Sequence, residues 1–481
     1  MNTKMVRYIL CRMLGVEAAL LLVPVLVAVI YQEKCGIVFL IPIGILCLLF
    51  WVAGRKRPEY GQIYGKEGMV IVALAWILWS LFGAMPFTLS GYIPSYVDAF
   101  FETVSGFTTT GSSIIPDVEV LPHCLLFWRS FTHWIGGMGV LVFVLVVTSL
   151  DRKNSMYLMR AEVPGPEKDK LVPKAMSTAR ILYGMYLILT VIEMVFLVIG
   201  GMNLFDSMIF SFGSAGTGGF SNYADSVAHF NSAYIDGVIT VFCALFGVNF
   251  ALFYFMILGD FKSILKNEEL RTYILLIAGA TAAIMLNIHS LYPTIGKSFR
   301  YAIFQVVTVI TTTGYSTADF AQWPMFSKAV IMMLTVVGAC ASSTGGGIKV
   351  SRLLVGMKCV KREIVQLAHP KSVGIICIGG KKVSSDVLRT IYIYFIAYVG
   401  ILIGSVLLVS LDNFDFETTF SAVLTTLGNV GPGMAKVGPM GNFAEFSPLS
   451  KLILCFDMLA GRLEIFPFLV LFTAPAWRRK F

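Results

Sequence analysis

The chain is poor in charge: Asp, Glu, Lys and Arg make up 14% of its 481 residues, against 57% for the apolar set AVILMFWYC. A soluble domain of this size does not tolerate that balance, so the composition excludes a cytosolic or secreted globular protein and indicates a polytopic membrane protein. Paired cysteines are missing too. The nine cysteines (Cys11, Cys35, Cys47, Cys124, Cys243, Cys340, Cys359, Cys377 and Cys455) are odd in number and scattered through apolar runs. None is spaced as a metal ligand would be, which favours small core residues over disulfides or metal sites. The segment "SSTGGGIK" superficially resembles a phosphate-binding loop, yet GxxxxGK[ST] is absent. No set of nucleophile, base and acid is recognisable, so no enzyme and no covalently bound cofactor is expected. The net charge of +9 sits in loops beside apolar spans, where lysine and arginine fix topology. That placement needs a lipid bilayer and no nucleic acid.

Ten apolar runs have about the length a bilayer core demands of a helix: 8–30, 36–54, 68–90, 125–150, 180–201, 233–259, 270–288, 325–350, 389–411 and 449–474. The first follows Lys4, Arg7 and Arg12 in the manner of a signal peptide, but lacks a small-residue cleavage site and reads as an uncleaved span. Loop 55–67 carries Arg55, Lys56, Arg57 and Lys66, and loop 151–180 carries seven basic residues, whereas 90–124 and 201–232 carry none. The basic loops are expected on the cytoplasmic side, with both termini.

The outward loops repeat one another. "DAFFETVSGFTTTGSS", "DSMIFSFGSAGTGGFS", "YAIFQVVTVITTTGYS" and "TTFSAVLTTLGNVGPG" each hold a dozen apolar or amphipathic residues that end in Gly, Thr or Ser. Twelve helical residues span only about 18 Å, so each piece must enter the bilayer and return on the same side. Aligning Asp98 with Asp206 superposes Gly111 and Gly219; Gly314 and Gly431 take that place in the other two, at separations of 108, 95 and 117 residues. Gly218 and Gly428 are rival choices of register. The expected fold is therefore all-α: two N-terminal spans (1–60) followed by four repeats of span, short helix, loop and span (61–165, 166–265, 266–375 and 376–481), arranged around one pore.

Irregular backbone survives at membrane depth only when buried in protein or lining water. Four such loops on one axis could do both, with stacked carbonyl oxygens replacing a cation's hydration shell and glycine supplying positive φ. The expected filter comprises Thr109, Thr110, Gly111 and Ser112; Thr217, Gly218, Gly219 and Phe220; Thr312, Thr313, Gly314 and Tyr315; and Asn429, Val430, Gly431 and Pro432. No other metal site is expected. Val430 and Pro432 remove a hydroxyl and an amide donor, which makes the fourth loop the weakest expected ligand.

These loops, with "WIGGMGVLVF" (134–143), "AEVPGPEKDKLVPK" (161–174), "GACASSTGGGIKVSR" (338–352) and "LAGRLEIFPFLVLF" (459–472), give the chain a resemblance along nearly its whole length. It resembles the Trk/Ktr/HKT superfamily of potassium transporters, in particular its bacterial TrkH type. The resemblance implies potassium uptake across the bacterial inner membrane, a homodimer, and a cytosolic TrkA-like ring of nucleotide-binding regulatory subunits. Glycine at 111 goes with potassium preference there. It also implies an intramembrane gate at Gly345, Gly346 and Gly347 with Lys349 nearby. These residues interrupt a helix of about 25 Å from Met325 to Ala341, and three glycines in a row do not sustain one.

Arg462 falls inside the last apolar run, where a charge costs a few kcal/mol, roughly, unless it faces protein or water. Its expected place is the pore lining beneath the filter, holding the gate loop through carbonyl oxygens. Pairing with Asp457 or Glu464 is the alternative, although neither stands three or four residues away. Glu17, Arg129 and Glu193 are expected in interhelical pairs, and His133 as a packed interhelical donor. A symporter coupled to protons or sodium by alternating access is the competing function, because broken helices mark that class as well.

Overall fold

A computed structural model describes residues 1–56, 58, 65–139, 175–372 and 374–477. Apart from a two-stranded hairpin, Cys377–Ile378 with Lys381–Lys382, the described structure is helical. The hairpin turns through Gly379 and Gly380, both at positive φ as a tight two-residue turn requires.

Six helical stretches are long and apolar enough to cross a bilayer: Thr3–Ile30, Lys34–Gly54, Gly65–Leu89, Arg180–Ile199, Glu268–Leu291 and Ser385–Asp412. Among the described residues this is fewer than the ten apolar runs, and each of the four remaining runs holds a helix that stops part-way along it. The run that follows each short helix is broken in every case. Ala233–Phe246 and Phe250–Ile257 meet at 93°. Met325–Val337 and Val350–Ala368 are separated by the irregular segment 338–349, and Pro448–Arg462 stops before a turn in which Glu464 and Ile465 take positive φ. His123–Gly137 ends before Gly139, also at positive φ. The rest of that run, 140–150, lies outside the described residues, as does most of the basic loop 151–180.

Four short helices stand ahead of these broken ones: Tyr96–Phe107, Leu204–Gly216, Ile295–Ile310 and Phe416–Gly428. Each starts in the same way. Ser95, Asn203, Thr294 and Asp415 accept a hydrogen bond from the amide three residues on, which satisfies a donor that the first turn would otherwise strand. With 12, 13, 16 and 13 residues, they span about 18–24 Å, less than the bilayer core.

Large aromatic side chains hold the first short helix in place. Phe107 meets Trp79 edge-on at 5.5 Å and Trp128 at 6.0 Å between ring centres. The Trp128 indole donates to Gly83 O at 3.0 Å, so its polar edge is satisfied inside the core. Arg129 forms the interhelical pair expected of it, with Glu102. Glu17 and Glu193 are buried but have no ion-pair partner among the described residues.

Candidate ion filter and gate

Each short helix ends in the same hydrogen-bonded turn. The amides of Thr110, Gly218, Thr313 and Val430 donate five residues back, to the carbonyls of Ser105, Gly213, Thr308 and Thr425, at 2.7–2.9 Å. The amides one position earlier, of Thr109, Thr217, Thr312 and Asn429, donate three residues back at 3.0–3.2 Å. This paired pattern closes a helix C-terminus when the next residue is left-handed, a place usually held by glycine. Here it is held by Thr109, Thr217, Thr312 and Asn429, with φ of 54–61°. A second positive φ follows two residues later, at Gly111, Gly219, Gly314 and Gly431 (75–97°). The register is thus common to all four loops. Gly428 is the last residue of its helix, and Gly218 is absent from the positive-φ glycines.

The loops meet in a ring. A Cβ added at Gly111 would lie 2.0 Å from Gly218 O; at Gly219, 2.0 Å from Thr313 O; at Gly314, 2.2 Å from Val430 O; at Gly431, 2.7 Å from Thr110 O. Each glycine abuts the carbonyl that precedes the next glycine, and the fourth closes on the first. The residue after each glycine reaches the other way around the ring. Ser112 Oγ donates to Gly431 O at 3.2 Å, Tyr315 Oη donates to Phe210 O at 3.0 Å, and Phe220 packs on Arg129 and His133. Pro432 Cδ lies 2.7 Å from the position a Cβ on Gly314 would occupy. All four glycines line one cavity of about 130 Å³.

The hydroxyls of the filter segments face several ways. Thr110 Oγ1 is 2.8 Å from Thr108 Oγ1, and Thr313 Oγ1 is 2.9 Å from Thr311 Oγ1; both brace the loop from behind. Val430, at the equivalent position of the fourth loop, has no hydroxyl to make this contact. Asn429 Nδ2 compensates, donating to Thr110 Oγ1 at 3.0 Å and to Met458 O at 2.9 Å. The carbonyl ends of four helices converge on the ring, where their partial negative charge favours a cation.

Beneath the ring, the four helix breaks are tied together. Thr312 Oγ1 accepts from the amide of Gly346 at 2.7 Å, and a Cβ on Gly346 would lie 2.6 Å from Gly428 O, so the glycine run presses on the third and fourth loops. The amide of Cys340 donates to Gly247 O at 3.0 Å and that of Phe250 to Ser342 O at 3.1 Å, joining segment 338–349 to the break at 247–249. Arg462 joins the remaining two. Its guanidinium donates to Thr344 O at 2.7 Å, to Gly137 O at 2.9 Å and to Gly136 O. Lys349, itself at positive φ, is buried and donates to Gly345 O.

The acids offered as alternative partners of Arg462 are engaged elsewhere, Glu464 with Arg352 and Asp457 with Ser405. Gly345, Gly346, Gly347, Lys349 and Arg462 line a cavity of about 70 Å³. The sequence reading missed Glu102, which bonds the amide of Ile114 and the hydroxyl of Ser113 as well as Arg129, and Glu269, which accepts from the amide of Ala341. An acid inside an otherwise apolar short helix was the available signal for Glu102.

An all-α, multi-pass membrane protein with a closed ring of four loops packed on an irregular glycine-rich segment has the build of a cation-transport protein. The comparisons narrow the class. The TrkH family of cation transport proteins matches residues 43–478, so the chain belongs to that family. It is 36% identical over 467 residues to the Trk system potassium uptake protein TrkH of Salmonella typhimurium, covering 95% of this chain and 96% of that protein. The Trk system potassium uptake protein TrkG of Escherichia coli K12 is 33% identical over 486 residues, covering 99% and 100%. The crystal structure of the potassium transporter TrkH from Vibrio parahaemolyticus matches with a TM-score of 0.89 at 31% identity, covering 99% of this chain and 100% of that one.

Proposed function

We propose that this chain takes up potassium across a bacterial cytoplasmic membrane through a channel-like filter. The observation that supports this most is the ring, in which the carbonyls of Thr110, Gly218, Thr313 and Val430 each abut the preceding loop's glycine in cyclic order. Main-chain oxygens so arranged replace the water shell of an alkali ion. Potassium as the cargo rests on the names of the relatives and on glycine at position 111.

On this reading, segment 338–349 is the gate. It obstructs the path below the filter, and Arg462 holds it closed from two sides while adding positive charge that shortens ion residence. The division into two leading spans (1–60) and four repeats (61–165, 166–265, 266–375 and 376–481) follows from the recurrence of cap, turn and glycine. A second copy of the chain and a nucleotide-binding cytosolic ring complete the assembly. The basic loop 151–180, most of which lies outside the described residues, and the basic segment 350–388 are the candidates for docking that ring, with both termini in the cytoplasm.

The test is flux of rubidium against sodium into vesicles that hold the purified protein, with and without the regulatory partner. Rubidium is expected to enter in preference to sodium. Arg462→Ala is expected to raise flux, and deletion of one residue from the Gly345–Gly347 run to leave the path leaky. Unchanged flux in both variants removes the gating assignment. A fixed coupling ratio with slow, saturable flux would replace the channel by alternating access.

A further inference from the structure

The four loops are not equally stiff. Thr110 and Thr313 are braced from behind by hydroxyl contacts, and the fourth loop by Asn429. The second loop has Gly218 at that position and then Gly219, the most yielding pair of residues in the ring. Something outside the loop must fix it.

That support is built around Phe220, which is fully buried. The Arg129 guanidinium lies 3.6 Å from its ring centre, and the His133 imidazole stacks at 4.1 Å with 28° between planes. Arg129 and His133 stand four residues apart on His123–Gly137, so both face the same way, as the two jaws of a clamp. Each jaw is itself anchored to the first short helix. Arg129 Nε donates to Glu102 Oε1 at 2.5 Å, and His133 Nδ1, 2.7 Å from Gly106 O, is the donor because a carbonyl only accepts. Arg129 Nη1 also donates to Ser221 O at 2.8 Å, bonding the main chain just past the jaws. From the third loop, Tyr315 Oη approaches Phe220 O at 3.5 Å. All four side chains, Glu102, Arg129, His133 and Phe220, are at most 4% exposed, so water does not compete for these contacts.

We propose that Arg129 and His133, acting through Phe220, are positioning residues that determine alkali-ion specificity. They stop the second loop from moving inward to close around an ion smaller than potassium. A carbonyl ring discriminates between ions of different radius only if its members resist contraction. The double glycine is where resistance would otherwise fail first. The inference rests on the filter assignment above and adds to it a source of stiffness outside the loops.

The experiment compares rubidium and sodium flux in proteoliposomes of the full-length chain for wild type, Phe220→Leu, Phe220→Ala and Arg129→Lys. Lysine keeps the charge beside Glu102 but loses the flat stack on Phe220. The expected result is a rise in the sodium-to-rubidium ratio of about twofold to thirtyfold, the range that loss of a desolvated cation–π contact spans. Should Phe220→Ala fail to accumulate, Phe220→Leu and Arg129→Lys decide. If both variants lower the two fluxes by one common factor, or leave both fluxes unchanged, the clamp is merely structural and the proposal is overturned. Gly111→Ala serves to separate the two ideas. If that variant keeps the wild-type flux and ratio, the filter assignment itself has failed; if it loses them while the clamp variants keep the ratio, only the clamp has.

Discussion

At the scale of single residues, what matters is which positions hold the left-handed backbone. Gly219 combines a φ of 75° with a neighbouring carbonyl 2.0 Å from where a Cβ would sit. Gly219→Ala is therefore expected to abolish rubidium uptake. Gly279, inside the helix Glu268–Ile288 with nothing within 4 Å, is its control. Gly279→Ala is expected to retain uptake and to gain up to about 1 kcal/mol of helix stability, seen as a higher melting temperature. The glycines were legible in the sequence because their spacing repeats. The left-handed threonines were not: Thr109, Thr217 and Thr312 occupy a conformation that costs a residue with a Cβ about 1–2 kcal/mol, offset by the paired hydrogen bonds that close each short helix.

At the scale of elements, the broken second helices decide the design. The break at 338–349 could be read from three consecutive glycines. The one at 463–465 could not, because Glu464 and Ile465 adopt positive φ without any residue that favours it, and the 93° bend near 247–249 interrupts an otherwise apolar run. Apolar length alone thus overstated the number of straight spans among the described residues. The hydrogen bond from the Gly346 amide to Thr312 Oγ1 links segment 338–349 to the third loop directly, which on the proposed function is gate to filter. Thr312→Val keeps the β-branched shape and removes the acceptor, which should weaken closure by about 1 kcal/mol. The expected reading is a severalfold higher basal rubidium leak, with Thr312→Ser close to wild type. An equal leak in both variants would show that this bond does not latch the gate.

At the scale of the whole molecule, the helix Val350–Ala368 leaves Met357, Val360, Ile364 and Leu367 exposed along one face, each at least half accessible. If a second copy covers this face, Val360→Glu with Ile364→Glu should halve the mass measured by light scattering in detergent. An unchanged mass would move the interface elsewhere. The repeats were visible from sequence because one chemical pattern recurs about every hundred residues. The order in which they join was not, since contacts between loops more than ninety residues apart leave no local trace.

That order has a consequence for biosynthesis. On one side Thr110 meets its neighbour only through the fourth loop, at Asn429 and Gly431. Until the segment around Gly431 has been inserted, the nascent protein holds three of the four loops, and the ring stays open on one side. An aborted translation product consequently carries no closed ring.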